Sequence, residues 1–164
     1  MASDPRMNPE HLVQSLYPAL VRKFDPRDAP AVAEILRGSP EAAEWSVKSI
    51  EQLDQRGELG WVVENDGGVS GFLVARAITD EAEVLNLCID PAKRRIGNAT
   101  ALVRAALAEL QRLGVRILFL EVRETNLPAI SFYEKHGFIR DGYRPGYYQN
   151  PTEAAVLMRR ELTG

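Results

Sequence analysis

The chain of 164 residues is poor in the side chains that most often announce chemistry. Its one cysteine, Cys88, excludes an intrachain disulfide framework and any metal site built from several thiolates. Two histidines, His11 and His136, leave little for zinc, so no metal is expected. Lysine is scarce as well. Sixteen of the 20 basic residues are arginine, the cation suited to local, directed contacts with anions. Positive charge is not in excess: 20 basic residues against 23 acidic ones give a net charge of −3. That speaks against nucleic-acid binding held by bulk charge. No apolar run has the length of a membrane span. Residues 1–6 carry both signs of charge, and the apolar stretch 12–21 is broken by Gln14, Ser15 and Pro18, so the N-terminus does not read as a signal peptide. The reducing cytoplasm is the expected compartment.

What is present suits a single domain. Hydrophobic residues make up 45% of the chain, enough for one ordinary core. Residues 1–18 read as an N-terminal extension, with Asn8 and Pro9 able to start a short helix through Tyr17. Residues 19–164 carry the domain. A first strand is expected at 20–24. A helix capped by Asp28 then runs to Arg37, and a second spans 41–55, with Trp45 either in the core or on the wall of a groove. The period then changes. Residues 61–64 and 69–78 read as strands joined by a turn at Asn65-Asp66-Gly67-Gly68. Residues 84–89 form a nearly continuous apolar strand, as for one covered on both faces. A basic loop at 90–96 leads into a strong amphipathic helix over 97–113, closed by Gly114. Another buried strand follows at 116–123, then a helix from Asn126 to Gly137. Residues 138–144 and 154–159 are expected to form an antiparallel pair. The strand–helix–strand unit in the middle calls for a parallel pair with a right-handed crossover. The fold class is α/β, a mixed, mostly antiparallel sheet with a central parallel pair, flanked by helices.

The most informative segment is 89–100, Ile89-Asp90-Pro91-Ala92-Lys93-Arg94-Arg95-Ile96-Gly97-Asn98-Ala99-Thr100. A helix start leaves backbone N–H groups without partners and carries partial positive charge, which suits a phosphate. Gly97 and Ala99 leave room for one, and Arg94 and Arg95 add charge at the entrance. An ordinary strand-to-helix turn with solvated arginines is the other reading. The segment is neither a P-loop nor a dinucleotide fingerprint, since the glycine spacing and the Lys-Ser/Thr ending are missing.

Residues 94–99 fit the Gln/Arg-x-x-Gly-x-Gly/Ala pattern, and the chain is similar to the GNAT superfamily of N-acetyltransferases from about residue 20 to 162. Asn98 stands where an apolar residue is usual. The runs 119–126 and 129–138, and the segment Tyr147-Tyr148-Gln149-Asn150-Pro151-Thr152-Glu153-Ala154-Ala155, most resemble the bacterial ribosomal-protein-alanine N-acetyltransferases. The resemblance implies acetyl-CoA as co-substrate. Its pyrophosphate would lie on the turn of Arg94, Arg95, Ile96, Gly97, Asn98, Ala99 and Thr100. Its pantetheine arm would pair with the main chain of Leu87, Cys88 and Ile89, one N–H there polarising the thioester carbonyl, and Asn126 would touch it. The cysteine side chain itself reads as an inert buried thiol.

Acetyl transfer needs a neutral amine, a polarised carbonyl and a proton for the leaving thiolate. By alternation Glu121 shares a strand face with Ile117 and Phe119. Apolar surroundings disfavour its charge and suit a general base, acting directly or through water. The alternative is a strand-end glutamate turned to solvent or paired with Arg123. Tyr133 reads on spacing alone as a core aromatic. The resemblance makes it the acid that protonates the thiolate, seven residues after Asn126, which is itself a plain helix cap on spacing alone. Tyr147 and Tyr148, expected in the loop between the last two strands, suit peptide contact or loop anchoring. His136, at a helix C-terminus, reads as structural.

The resemblance thus implies an enzyme acting on a protein N-terminus, such as that of a ribosomal protein, with no nucleic acid or membrane partner. A small-molecule amine or polyamine is the alternative acceptor. A coenzyme-binding module without catalysis is the non-enzyme alternative.

Overall fold

Two residues with positive φ, Asp66 at 53° and Gly67 at 79°, fold the chain back between β2 (Glu58–Asn65) and β3 (Gly68–Ile78). Positive φ at both central positions gives the turn whose twist matches paired strands. In the computed structural model, which describes residues 19–42 and 44–162, this hairpin forms the second and third strands of a seven-stranded sheet. The extension expected at 1–18 lies outside the described residues.

The other strands are β1 (Leu20–Lys23), β4 (Glu81–Ile89), β5 (Ile117–Arg123), β6 (Ile139–Tyr148) and β7 (Glu153–Glu161). Their order is β1-β2-β3-β4-β5-β7-β6. Only β4 and β5 pair in parallel; every other neighbour is antiparallel. The helices are α1 (Ala29–Arg37), α2 (Val47–Glu51), α3 (Asn98–Arg112) and α4 (Leu127–Lys135). The α/β fold with one central parallel pair is as the sequence implies.

Strand alternation divides the apolar residues between two cores. Trp61, Val63, Leu73, Leu118, Leu120 and Val122 pack with Leu102, Leu110 and Ile130 of α3 and α4. Val62, Phe72 and Val74 point the other way, onto Val32 and Ile35 of α1 and Ile50 of α2. Burying a side chain of this size contributes roughly 1.5–3 kcal/mol. Trp45 packs half-buried against the second core.

Three local expectations are corrected. The helix expected over 41–55 shrinks to α2 and a 3-10 turn, Asp54–Arg56. Ser46 caps α2 by accepting from the Ser49 N–H, and Glu41 is drawn away to Arg94. Asp28 makes no side-chain cap for α1. Its carboxylate instead accepts from Arg22 and from the Asp25 N–H, while Asp25 caps the 3-10 turn Pro26–Asp28. Finally, Tyr147 and Tyr148 lie on the end of β6, not in a loop.

One irregularity shapes the centre of the sheet. Val74 of β3 pairs with Asn86, but Ala75 pairs with Val84, so Leu85 is an extra residue on β4. Such a bulge bends its strand. On its other edge β4 matches β5 only at Glu81, Ala82 and Glu83, opposite Ile117, Leu118 and Phe119. Beyond that point the two strands part. β4 runs on to Ile89 and β5 to Arg123, with a slot between them.

Candidate active site

At the far end of β4, Asp90 accepts from the Ala92 N–H and starts the 3-10 turn Pro91–Lys93. Arg95 has φ 64° and Gly97 φ 90°, and α3 begins at Asn98. A Cβ on Gly97 would meet nothing within 4 Å, so glycine is required there by its backbone conformation and not by crowding. The Asn98 side chain, 2% exposed, trades hydrogen bonds with Asn65 and donates to the Lys93 carbonyl. What Asn98 can offer a ligand is therefore its main chain. Arg94 is likewise engaged: it donates to the Ile89 carbonyl, the Ser39 hydroxyl and the Glu41 carboxylate. It fastens the turn to the segment after α1. Arg95 and Ile96 are exposed, Ala99 is half-buried, and the Thr100 hydroxyl lies 3.2 Å from His136 Nε2. The corner thus keeps the start of a 15-residue helix open to an anion.

Leu87, Cys88 and Ile89 pair with Leu73, Phe72 and Gly71 of β3 on one edge and border the slot on the other. The Cys88 thiol turns into the core, and burial pushes its pKa up. No room exists for a side chain on Gly71, whose added Cβ would sit 2.4 Å from Ile89 Cδ1. Asn126 caps α4 through the Ala129 N–H at 3.3 Å.

Glu121 stands across the slot on β5. Its neighbours Leu120 and Val122 belong to the core under α3 and α4, so Glu121 faces the opposite side of the sheet. The carboxylate side chain is 15% exposed and has an ion pair with Arg144 at 3.4 Å. Tyr147 lies near it as well, and interaction with the Glu121 carboxylate, with burial, pushes the Tyr147 phenol up. Tyr133 of α4 is half-buried against the core, edge-on to Phe132 and Phe138 at 5.4 and 5.5 Å. Burial drives its phenol well above the ordinary tyrosine range, and the nearby Tyr148 adds to the shift. Tyr148 feels the charge of Glu121 too. It therefore stands between the acid and base candidates, its ring under the Arg123 guanidinium at 4.4 Å. His136 is held toward its neutral form by burial and by Arg104 and Arg160. Among the described residues no cluster of His, Cys, Asp and Glu could hold a metal ion.

Residues 25–138 match the Acetyltransferase (GNAT) family. The chain belongs to that family. It is an acetyl-transferring enzyme. It is 31% identical over 140 residues to the [ribosomal protein bS18]-alanine N-acetyltransferase of Escherichia coli K12, covering 84% of this chain and 94% of the relative. The crystal structure of the ribosomal-protein-S18-alanine N-acetyltransferase from Escherichia coli superposes with a TM-score of 0.80 at 28% identity, over 90% of this chain and 96% of that one. Ard1 from Thermoplasma volcanium gives 0.81 at 29% identity, over 89% and 99%.

The fold thus brings Glu121, Tyr147 and Tyr148 of this GNAT enzyme together, with Tyr133 near Tyr148. Sequence reasoning missed Arg144 and Glu83. Glu83 closes the parallel register, forms an ion pair with Arg76 and acts electrostatically on Tyr147. Neither had a motif to mark it. Glu153 was quoted only as part of a run; it holds Arg123 and accepts from the Thr125 N–H and hydroxyl.

Proposed function

We propose that this enzyme transfers the acetyl group of acetyl-CoA to the N-terminal α-amine of a protein, of the ribosomal-protein-alanine type, in the cytoplasm. The observation that carries the reading is the meeting of Glu121 and the Tyr147–Tyr148 segment at the mouth of the slot. A slot between strands suits an extended thioester arm, and two tyrosines of an edge strand beside a shielded carboxylate suit a peptide end. The similarity to alanine N-acetyltransferases supports the same acceptor.

The residues fit the co-substrate. The α3 amides behind Gly97 suit a diphosphate, and the free edge of Leu87–Ile89 can hydrogen-bond the arm and polarise the thioester carbonyl. The amine attacks that carbonyl directly. As the N–C bond forms and the C–S bond breaks, Glu121 takes the amine proton, directly or through water, and the Tyr133 hydroxyl gives its proton to the thiolate sulfur. An α-amine with a pKa near ~8 is partly neutral at pH 7, so mild help suffices. No acyl-enzyme is required, and the buried Cys88 thiol is not placed for one.

The test is thiol release from acetyl-CoA with short peptides, beginning with an alanine-initiated ribosomal one, against propylamine and spermidine. Acetylation of the peptide N-terminus at the highest kcat/KM is expected. Preference for spermidine or propylamine overturns the acceptor assignment.

A further inference from the structure

We infer that Arg144 distinguishes a peptide N-terminus from a simple amine. The inference rests on the acceptor reading above. Arg144 Nη1 lies 3.4 Å from Glu121 Oε1, in the place an acceptor nitrogen must reach to give up its proton. The arginine side chain is 56% exposed and covers the carboxylate from the solvent side. Its guanidinium also stands over the Tyr147 ring at 5.6 Å, and the Tyr147 phenol feels the same carboxylate. Without an acceptor, the base is therefore held by two groups from one stretch of β6.

The backbone explains how they arrive there. Arg144 pairs with Ala155 and Tyr148 with Glu153, so residues 145–147 stand opposite the single residue Ala154. The surplus arches off the sheet, with Gly146 at φ 63° making the bend. The other charged or polar groups around Glu121 have partners of their own. Glu83 is paired with Arg76, and Arg123 with Glu153 and the Tyr148 ring. Among the described residues, Arg144 is the cation that forms an ion pair with Glu121.

An acceptor amine displaces that guanidinium from the carboxylate. In a peptide N-terminus the first carbonyl oxygen lies roughly 3 Å from the α-nitrogen, by covalent geometry alone. It is thus delivered to the freed guanidinium, which carries five N–H donors in a rigid fork. A lysine side chain, a polyamine or an alkylamine brings no such oxygen and leaves the arginine without a partner. A hydrogen bond to a charged donor corresponds to roughly tenfold to a hundredfold in discrimination.

The test uses the full chain as wild type, Arg144→Met and Arg144→Lys. Three acceptors are compared by steady-state thiol release: an alanine-initiated peptide, the same peptide blocked at its N-terminus and carrying one lysine, and propylamine. In Arg144→Met the ratio of kcat/KM for the free N-terminus to that for propylamine should fall at least tenfold, through KM more than kcat. Arg144→Lys should recover part of it. An unchanged ratio, or an equal loss with all three acceptors, overturns the inference while leaving the acceptor reading intact. A wild type that does not favour the free N-terminus overturns both. Melting midpoints and acetyl-CoA affinity of the variants separate recognition from folding, and if Arg144→Met melts early the ratio is read from Arg144→Lys.

Discussion

Glu121 lies on the face of the sheet opposite the core that Tyr133 packs against, and each has surroundings suited to a different proton task. Tyr133 is enclosed by aromatic rings, which keeps its proton on the oxygen. Glu121 is reached by Arg144 and Tyr147 from the solvent side. Replacing Glu121 by Gln should lower kcat by about 10²–10⁴-fold, and Tyr133→Phe should do likewise, while calorimetric acetyl-CoA affinity stays within a few-fold. Burial of Tyr133 also has a stability signature. Its folded pKa is raised above the unfolded ~10, so the folded chain holds the proton longer. Stability is unaffected below about pH 10 and falls above it. Urea midpoints between pH 9 and 11 should show this loss, with a shallower slope in Tyr133→Phe. Some slope persists, because the Tyr148 phenol is itself pushed up to about 12. Glu121 and Tyr133 were marked in the sequence by the family resemblance, because alternation and spacing alone leave each of them a structural reading. Arg144 was not, since only the pairing of β6 with β7, and of β7 with β5, brings it near Glu121.

At the scale of elements, the start of α3 was read well and the start of α2 badly, and the difference is physical. Gly97 precedes a long helix whose apolar stripe has a sheet to pack on. Residues 41–45 have a helical pattern too, but Glu41 is taken by Arg94 across the chain, and Ser46 starts the helix afresh. A five-residue helix depends on tertiary contacts that a local pattern does not encode. Gly97→Ala isolates the corner. The new methyl has no neighbour to strike, so the cost is that of φ 90° for an L-residue, about 1–2 kcal/mol. A drop of a few degrees in Tm, together with acetyl-CoA binding weakened about tenfold, is expected from thermal melts and titration calorimetry. Unchanged affinity would remove the corner from the binding site.

For the molecule as a whole, the central parallel pair followed from the strand–helix–strand unit and two antiparallel pairings from the hairpin and the last two strands, while the insertion of β7 between β5 and β6 had no local signal. The slot was not legible: Val84, Leu85 and Asn86 form an unremarkable strand stretch, and only the register with β3 exposes the surplus residue. The long helix is tied to the β1–β2 edge of the sheet by one carboxylate. Glu109 accepts from Lys23 at 3.0 Å and from the Trp61 indole at 2.8 Å, and the Lys23 ammonium lies over the Trp61 ring at 4.5 Å. Burial opposes its charge, but these hydrogen bonds prevail and hold its pKa below the usual value. A lowered folded pKa means stability present above about pH 4.3 and lost as pH falls through it. Chemical denaturation should show stability lost as the pH falls below that value in the wild type and little of that loss in Glu109→Gln.

The early parting of β4 from β5 leaves the chain a sheet short of one partner at its centre. On the edge away from β3, the amide protons of 87–89 lack a neighbouring strand, and under the proposed function an extended arm lying there would act as a temporary eighth strand. Deuterium uptake in that stretch should therefore slow on adding acetyl-CoA, while the hairpin at Asp66–Gly67 keeps its rate. Occupancy would then act like a zip across the middle of the domain, and the enzyme would be most tightly knit while it holds its acyl donor.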